Sequence, residues 1–259
     1  MKNSIFSSLP IKFLVVAVMS IIFCNCSATS QQSQFAPSDF SVMLNIGGGM
    51  SLDAETFFIS KDSCFYETSR GFRGDYGYEN TYRFSLNTDE LNSLYKAIME
   101  NDPADIETYS VEVFDRGGSR FTITQNGEKI EVSNSGMSFV KEGSQEQYDG
   151  ITGAIEKITF KKLENQKRSV SIKIDESIRS LGMNVNIVIA MEHFMSGSGE
   201  VRKQIDFEVL NGVYYGKILI MNPKAEHENK VYSSGFFKID TNDKLDYRLY
   251  LVDKTISIE

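Results

Sequence analysis

Between Ser169 and Ile258 apolar and polar residues alternate in short runs: SVSIKID (169–175), NVNIVIAMEHF (184–194), QIDFEVL (204–210), VYYGKILIM (213–221), VYSSGFFKID (231–240), DYRLYLV (246–252) and TISI (255–258). A period of two places every second side chain on one face, a pattern that a strand can bury and a helix cannot. Turn chemistry separates the runs at Ser196-Gly197-Ser198-Gly199, Asn211-Gly212 and Asn242-Asp243. Strands this short and this closely spaced predict an antiparallel β-sandwich over residues 169–259.

The residues before it mix two periods. Phe40–Ile46 alternates, Gly47–Gly49 predicts a turn, and a second strand covers Thr56–Ser60. Tyr82–Leu86 alternates and leads to a helix start, where Asn87 or Thr88 can cap and Asp89 and Glu90 suit the positive end of the helix dipole. Leu91, Leu94, Tyr95, Ile98 and Met99 then form one buried stripe, and Pro103 closes the segment. A meander is predicted next: a strand at Val111–Phe114, a turn at Asp115–Gly118, and strands at Arg120–Thr124 and Lys129–Ser133 joined by Asn126-Gly127. A second helix begins near Ser144, where Ser144-x-x-Gln147 has capping-box form, and carries Tyr148, Ile151, Ile155 and Ile158 on one face. Gly150 and Gly153 weaken it by about 1 kcal/mol each relative to alanine. The chain is therefore predicted to be α+β and mainly β: an antiparallel sheet with two helices over residues 39–161, a linker at 162–168, and the sandwich at 169–259.

In strand count the second half resembles immunoglobulin-like and transthyretin-like sandwiches. It lacks the Cys…Trp…Cys signature, because this half has no cysteine and the chain no tryptophan.

The N-terminus predicts location. Lys2 and Lys12 flank a polar start, an apolar run follows from Phe13 to Phe23, and Cys24-Asn25-Cys26-Ser27 comes next. This is a positive region, a secretory-length apolar region and a cysteine at the cleavage zone. The run falls short of the ~20 apolar residues a membrane-spanning helix needs. The segment resembles the lipobox of exported bacterial lipoproteins. That resemblance implies a signal peptide over 1–25, acylation at Cys26 with fatty chains such as palmitate, and a lipidated tether over 26–38 whose SATSQQSQ stretch is flexible. Cys24 is the alternative acceptor; Asn25 before Cys26 is smaller and more polar than Phe23 before Cys24. An ordinary signal peptide cut nearby is the other reading. With either cysteine lipidated or removed, Cys64 has no partner, so it is predicted to be a small buried hydrophobe on a strand rather than half of a disulfide.

Charge is uneven. Residues 27–165 hold 12 basic and 22 acidic side chains, whereas 166–259 hold 13 of each. No basic stripe exists to track a phosphate backbone, which argues against nucleic acid.

Motifs for chemistry are sparse. The two histidines, His193 and His227, show no HxH or HExxH spacing, and no CxxC occurs, so no transition-metal site or other cofactor is expected. Asp102, Asp105 and Glu107 lack the glycine and terminal glutamate of a calcium loop. Gly47–Gly49 lacks the Lys-Ser/Thr of a phosphate loop, and Asp115–Gly118 has turn composition rather than that of an anion nest. The stretch YETSRGFRGDYGYENTYR (66–83) is unusual in gathering tyrosine and arginine, the residues enriched at binding hot spots. Tyr66, Arg70, Phe72, Arg73, Tyr76 and Tyr78 are the candidate binding residues, and Arg73-Gly74-Asp75 also spells an adhesion tripeptide. The expectation is a non-enzymatic cell-envelope protein, anchored to the membrane by its lipid on the periplasmic side or outer surface. It would bind a protein or glycan partner or serve assembly. The alternatives are an envelope hydrolase using paired carboxylates, and an inhibitor or accessory subunit of another envelope protein.

Overall fold

The first apolar cluster forms where the alternating strands meet the two amphipathic helices. The computed structural model describes residues 35–49, 53–70, 78–181, 186–191, 194–195, 203–221, 231–234, 237–253 and 255–259. Six strands, β1 (Ser41–Gly48), β2 (Asp53–Ser60), β3 (Cys64–Arg70), β4 (Tyr78–Phe84), β6 (Gly117–Gln125) and β7 (Glu128–Asn134), make one antiparallel sheet in the order β4-β3-β2-β1-β6-β7. Helices α1 (Thr88–Met99) and α2 (Gln145–Leu163) bury their stripes in the same cluster. Val42 and Leu44, Phe57 and Ile59, Cys64 and Tyr66, and Phe121 and Ile123 are among its strand residues, each pair two apart as a pleated strand requires.

α1 follows its sequence signals. Asn87 is the N-cap, its side chain accepts from the Glu90 N–H, and Glu90 accepts in return from the Asn87 N–H, both at 2.9 Å. The Lys162 ammonium beside Glu90, at 2.6 Å, ties this end of α1 to α2 and holds the Glu90 carboxyl below the usual range. The Asn126-Gly127 turn has φ of 50° and 77°, and Asp39 accepts from both of its N–H groups.

α2 differs from expectation at both ends. Ser144 makes no side-chain cap; it is buried, and its hydroxyl accepts from the Glu107 N–H instead. The helix runs to Leu163, which is fully buried, and one 3-10 turn (Glu164–Gln166) leads straight into β9 (Lys167–Ile174). No extended spacer therefore occupies 162–168. Gly150 has a packing reason: a Cβ there would lie 2.4 Å from Asn101 Oδ1, just past the end of α1.

The second half is a two-sheet sandwich. β12 (Gln204–Leu210), β9 (Lys167–Ile174), β16 (Asp246–Val252) and β17 (Thr255–Ile258) form one sheet in that order. β11 (Phe194–Met195), β10 (Asn186–Met191), β13 (Val213–Met221) and β14 (Val231–Ser233) form the other, with β15 (Phe237–Asp240) also on β13. Val170, Ile172, Phe207, Ile218, Ile239 and Leu249 anchor the core between them. Two details depart from expectation. The run at 231–240 divides into β14 and β15, and β9 pairs with β16 in parallel. A short helix, α3 (Glu176–Arg179), is capped by Asp175, whose carboxylate also takes the Arg248 guanidinium.

Residues 35–259 form one compact unit. The two apolar clusters meet along β4 and β13. Asn80 donates to the Val213 carbonyl at 2.9 Å and accepts from the Val213 N–H at 3.0 Å, so its side-chain amide pairs with Val213 as a neighbouring strand would. Beside it the Tyr82 and Tyr214 hydroxyls are 3.0 Å apart and buried.

Candidate functional site

Strand β5 (Thr108–Ser110) pairs only with β8 (Ser138–Val140) among the described residues, as a two-stranded antiparallel ribbon. Its register places Tyr109 opposite Phe139. The flanking bonds, Val111 N–H to Met137 O and Lys141 N–H to Glu107 O, are both 2.9 Å and fall in the same register. Tyr109, Val111, Met137 and Phe139 therefore share one face, and Val140, on the opposite face, enters the first core.

A ribbon with one face on the core normally presents polar side chains on the other. Here the outer face carries four apolar or aromatic side chains in a row, bounded at one end by the Glu107–Lys141 pair. Tyr109 is 46% exposed, Val111 44% and Met137 57%, while Phe114 in the following loop is 80% exposed. Tyr109 stacks on Phe139 with ring centres 5.4 Å apart.

Arg116 holds this arrangement. It donates to the Gly136 and Ser138 carbonyls and to Asn134 Oδ1, and its guanidinium carbon lies 3.9 Å from the centre of the Phe139 ring. One side chain thus fixes the 111–116 loop to the 134–138 turn and backs the aromatic stack. The segment that carries β5 is acidic in sequence: Glu100, Asp102, Asp105, Glu107, Glu112 and Asp115 occupy 100–115 with no lysine or arginine among them. Lys141 pairs with Glu107 and holds that carboxyl below the usual carboxylate range.

Val111–Phe114 was the expected strand; the strand lies three residues earlier, and 111–114 is loop. Asp115, at φ 58°, turns the chain into β6, which begins at Gly117, and the Arg116 anchor holds Val111 and Phe114 outside it.

Neither a protein-family model nor a curated protein sequence matches this chain.

The sequence-derived candidates lie elsewhere. Tyr66 is 1% exposed, packs on Phe57 and Tyr82, and donates its hydroxyl to Glu55. It is a core residue, which corrects its assignment as a presented contact. Arg70 and Tyr78 are register partners at the ends of β3 and β4. Phe72, Arg73 and Tyr76 lie outside the described residues, as do the 73–75 tripeptide, His193, His227, Cys24, Cys26 and the segment over 1–34. Deleting 66–83 would remove Tyr66 and Tyr82 from the core, so any test of that region belongs within 71–77. Cys64 is buried as expected, with burial pushing its thiol up.

Among the described residues, two carboxylates also come together away from the ribbon. Glu156 on α2 lies near Glu55, and burial first, then the Glu55 charge, push its carboxyl up. Glu55 also lines a shallow depression of about 250 Å³ with Asn45, Thr56 and Arg120.

Proposed function

We propose that this chain is a non-enzymatic, lipid-anchored cell-envelope protein whose folded body is a binding or assembly module for a protein or glycan partner. The observation that carries the binding part is the solvent-facing aromatic ribbon of Tyr109, Val111, Met137 and Phe139 with Phe114, held in place by Arg116. Exposed aromatic side chains on a fixed backbone bring contact area at low ordering cost. The anchor rests on the lipobox-like sequence and on Cys26.

A photo-crosslinking residue at position 114 of the full chain in its native envelope tests the binding part. The expected result is one dominant adduct, identified by mass spectrometry and lost in Tyr109→Ser and Met137→Ser. Labelling that is diffuse and indifferent to both substitutions would remove the support. If the adduct is an enzyme whose activity changes on binding, the module acts as an inhibitor or accessory subunit. A fatty-acid probe tests the anchor: label on the wild type should vanish when Cys24→Ala and Cys26→Ala are combined.

The Glu55–Glu156 pair favours a second reading, a hydrolase acting on envelope glycan. It requires that Glu156→Gln and Glu55→Gln each abolish turnover of a cell-wall glycan substrate. Absence of turnover by the wild type ends that reading.

A further inference from the structure

We propose that the open edge of β5 accepts an extended, lysine- or arginine-bearing segment of a partner protein as an added strand. The proposal rests on the binding reading above and specifies its partner and its mode.

The hydrogen-bond register decides which backbone groups are available. Tyr109 pairs with Phe139, the Glu107 C=O accepts from the Lys141 N–H, and the Val111 N–H donates to the Met137 C=O, so these odd positions face β8 and its extensions. Alternation along a strand turns the N–H and C=O groups of Thr108 and Ser110 to the opposite edge, where no strand lies among the described residues. Each residue offers one donor and one acceptor there. All three residues of β5 are exposed. Natural sheet edges are blunted by lysine, proline, a bulge or a covering element; Thr108-Tyr109-Ser110-Val111-Glu112 contains neither lysine nor proline.

Side chains set the chemistry of the added segment. A strand beside β5 lays alternate residues against the apolar face of Tyr109 and Val111, where aliphatic side chains fit. Its remaining residues turn to the face of Thr108, Ser110 and Glu112, in a segment that also carries Asp102, Asp105 and Asp115. Cationic side chains are attracted there, over a range of about 10 Å at 0.1 M salt. Arg116 already holds the ribbon in its paired form, so the receiving edge needs little ordering.

The full-length chain in non-ionic detergent, titrated with a short peptide alternating lysine and valine, tests this by fluorescence anisotropy. The peptide should bind, protect the Ser110 amide from hydrogen exchange, and weaken several-fold when salt rises from about 0.05 to 0.5 M. A glutamate–valine peptide should bind at least about tenfold more weakly, and Ser110→Pro should cost the lysine peptide about tenfold. Proline removes only the outward N–H, so Ser110→Pro should keep its circular dichroism; if it does not, exchange at Ser110 in the unmodified chain decides. Equal binding of both peptides, or an unprotected Ser110 amide at saturation, overturns strand addition. So does self-association of the chain that Ser110→Pro abolishes, since the edge would then hold a second copy. If position 114 still crosslinks a partner that Ser110→Pro leaves untouched, strand addition fails and the binding surface stands.

Discussion

At the scale of single residues, two side chains on α2 carry a cost that substitution should remove. Thr159 is fully buried between Ile155 and Leu163, and its hydroxyl has no hydrogen-bond partner among the described residues. Thr159→Val keeps the shape and removes the stranded hydroxyl, so urea unfolding should show a gain of about 1 kcal/mol. Glu156 is the second. Its carboxyl is pushed up by burial and by Glu55, so the folded state holds its proton to a higher pH than the unfolded chain does. Stability therefore falls as pH rises from the ordinary glutamate range through the raised folded value, and stays lower above it. Glu156→Gln should raise Tm at neutral pH by roughly 2 °C, with the gain vanishing near pH 4. A Tm difference independent of pH would point to packing instead of ionisation. Legibility at this scale follows parity. The alternation that buries Cys64 also buries Tyr66, two residues along β3, so the signal for Tyr66 was present in the run CFYETS. The tyrosines and arginines of 66–83 mark the stretch by composition, but composition has no face. The signal at 100–115 was six acids without a base, interleaved with Tyr109, Val111 and Phe114.

Elements were readable where the chain's own neighbours decide them. α1 has its cap, its acidic first turn and its stripe within a short span, and all three agree with the structure. Asn87→Ala, which removes the bond accepted from the Glu90 N–H, should destabilise the protein by about 1 kcal/mol in urea unfolding. A change below a few tenths would mean that the Lys162–Glu90 contact alone fixes this end of α1. Elements decided by distant partners were not readable. Ser144 has a capping sequence, but a backbone N–H from Glu107 claims its hydroxyl. The parallel β9–β16 pair joins residues more than seventy positions apart, and no local pattern distinguishes it from an antiparallel one. α3 depends on Asp175, whose carboxylate serves both the Ser177 N–H and Arg248 and is held down to about 2. Its contribution is complete above the ordinary aspartate range and is lost as pH falls through about 2.

Over the whole molecule, the seam between the two apolar clusters sets how they unfold. The step from α2 to β9 is a single 3-10 turn, and Leu210, at the end of β12, packs against the first cluster. Asn80 bonds both backbone groups of Val213, and Tyr82 meets Tyr214 in a buried hydroxyl pair. Gly212 makes this approach possible: a Cβ there would lie 2.6 Å from Asn80 Oδ1 and 2.9 Å from the Tyr82 hydroxyl. Sequence showed two patterns of residues but not this seam, because an asparagine on a strand carries no mark of the backbone it will pair with. A seam of buried polar groups couples the two cores, since opening either one strands donors and acceptors of the other. Calorimetry of the full chain should therefore show one transition with equal calorimetric and van't Hoff enthalpies. Asn80→Ala leaves Val213 without its partner and should cost about 1–3 kcal/mol. Gly212→Ala attacks the same contact from the opposite side by forcing Asn80 away. Both variants should broaden the transition or divide it in two, with the sandwich and the helix-covered sheet melting separately. Two resolved transitions in the unmodified chain would show that the Asn80–Val213 and Tyr82–Tyr214 contacts transmit too little energy to join the cores.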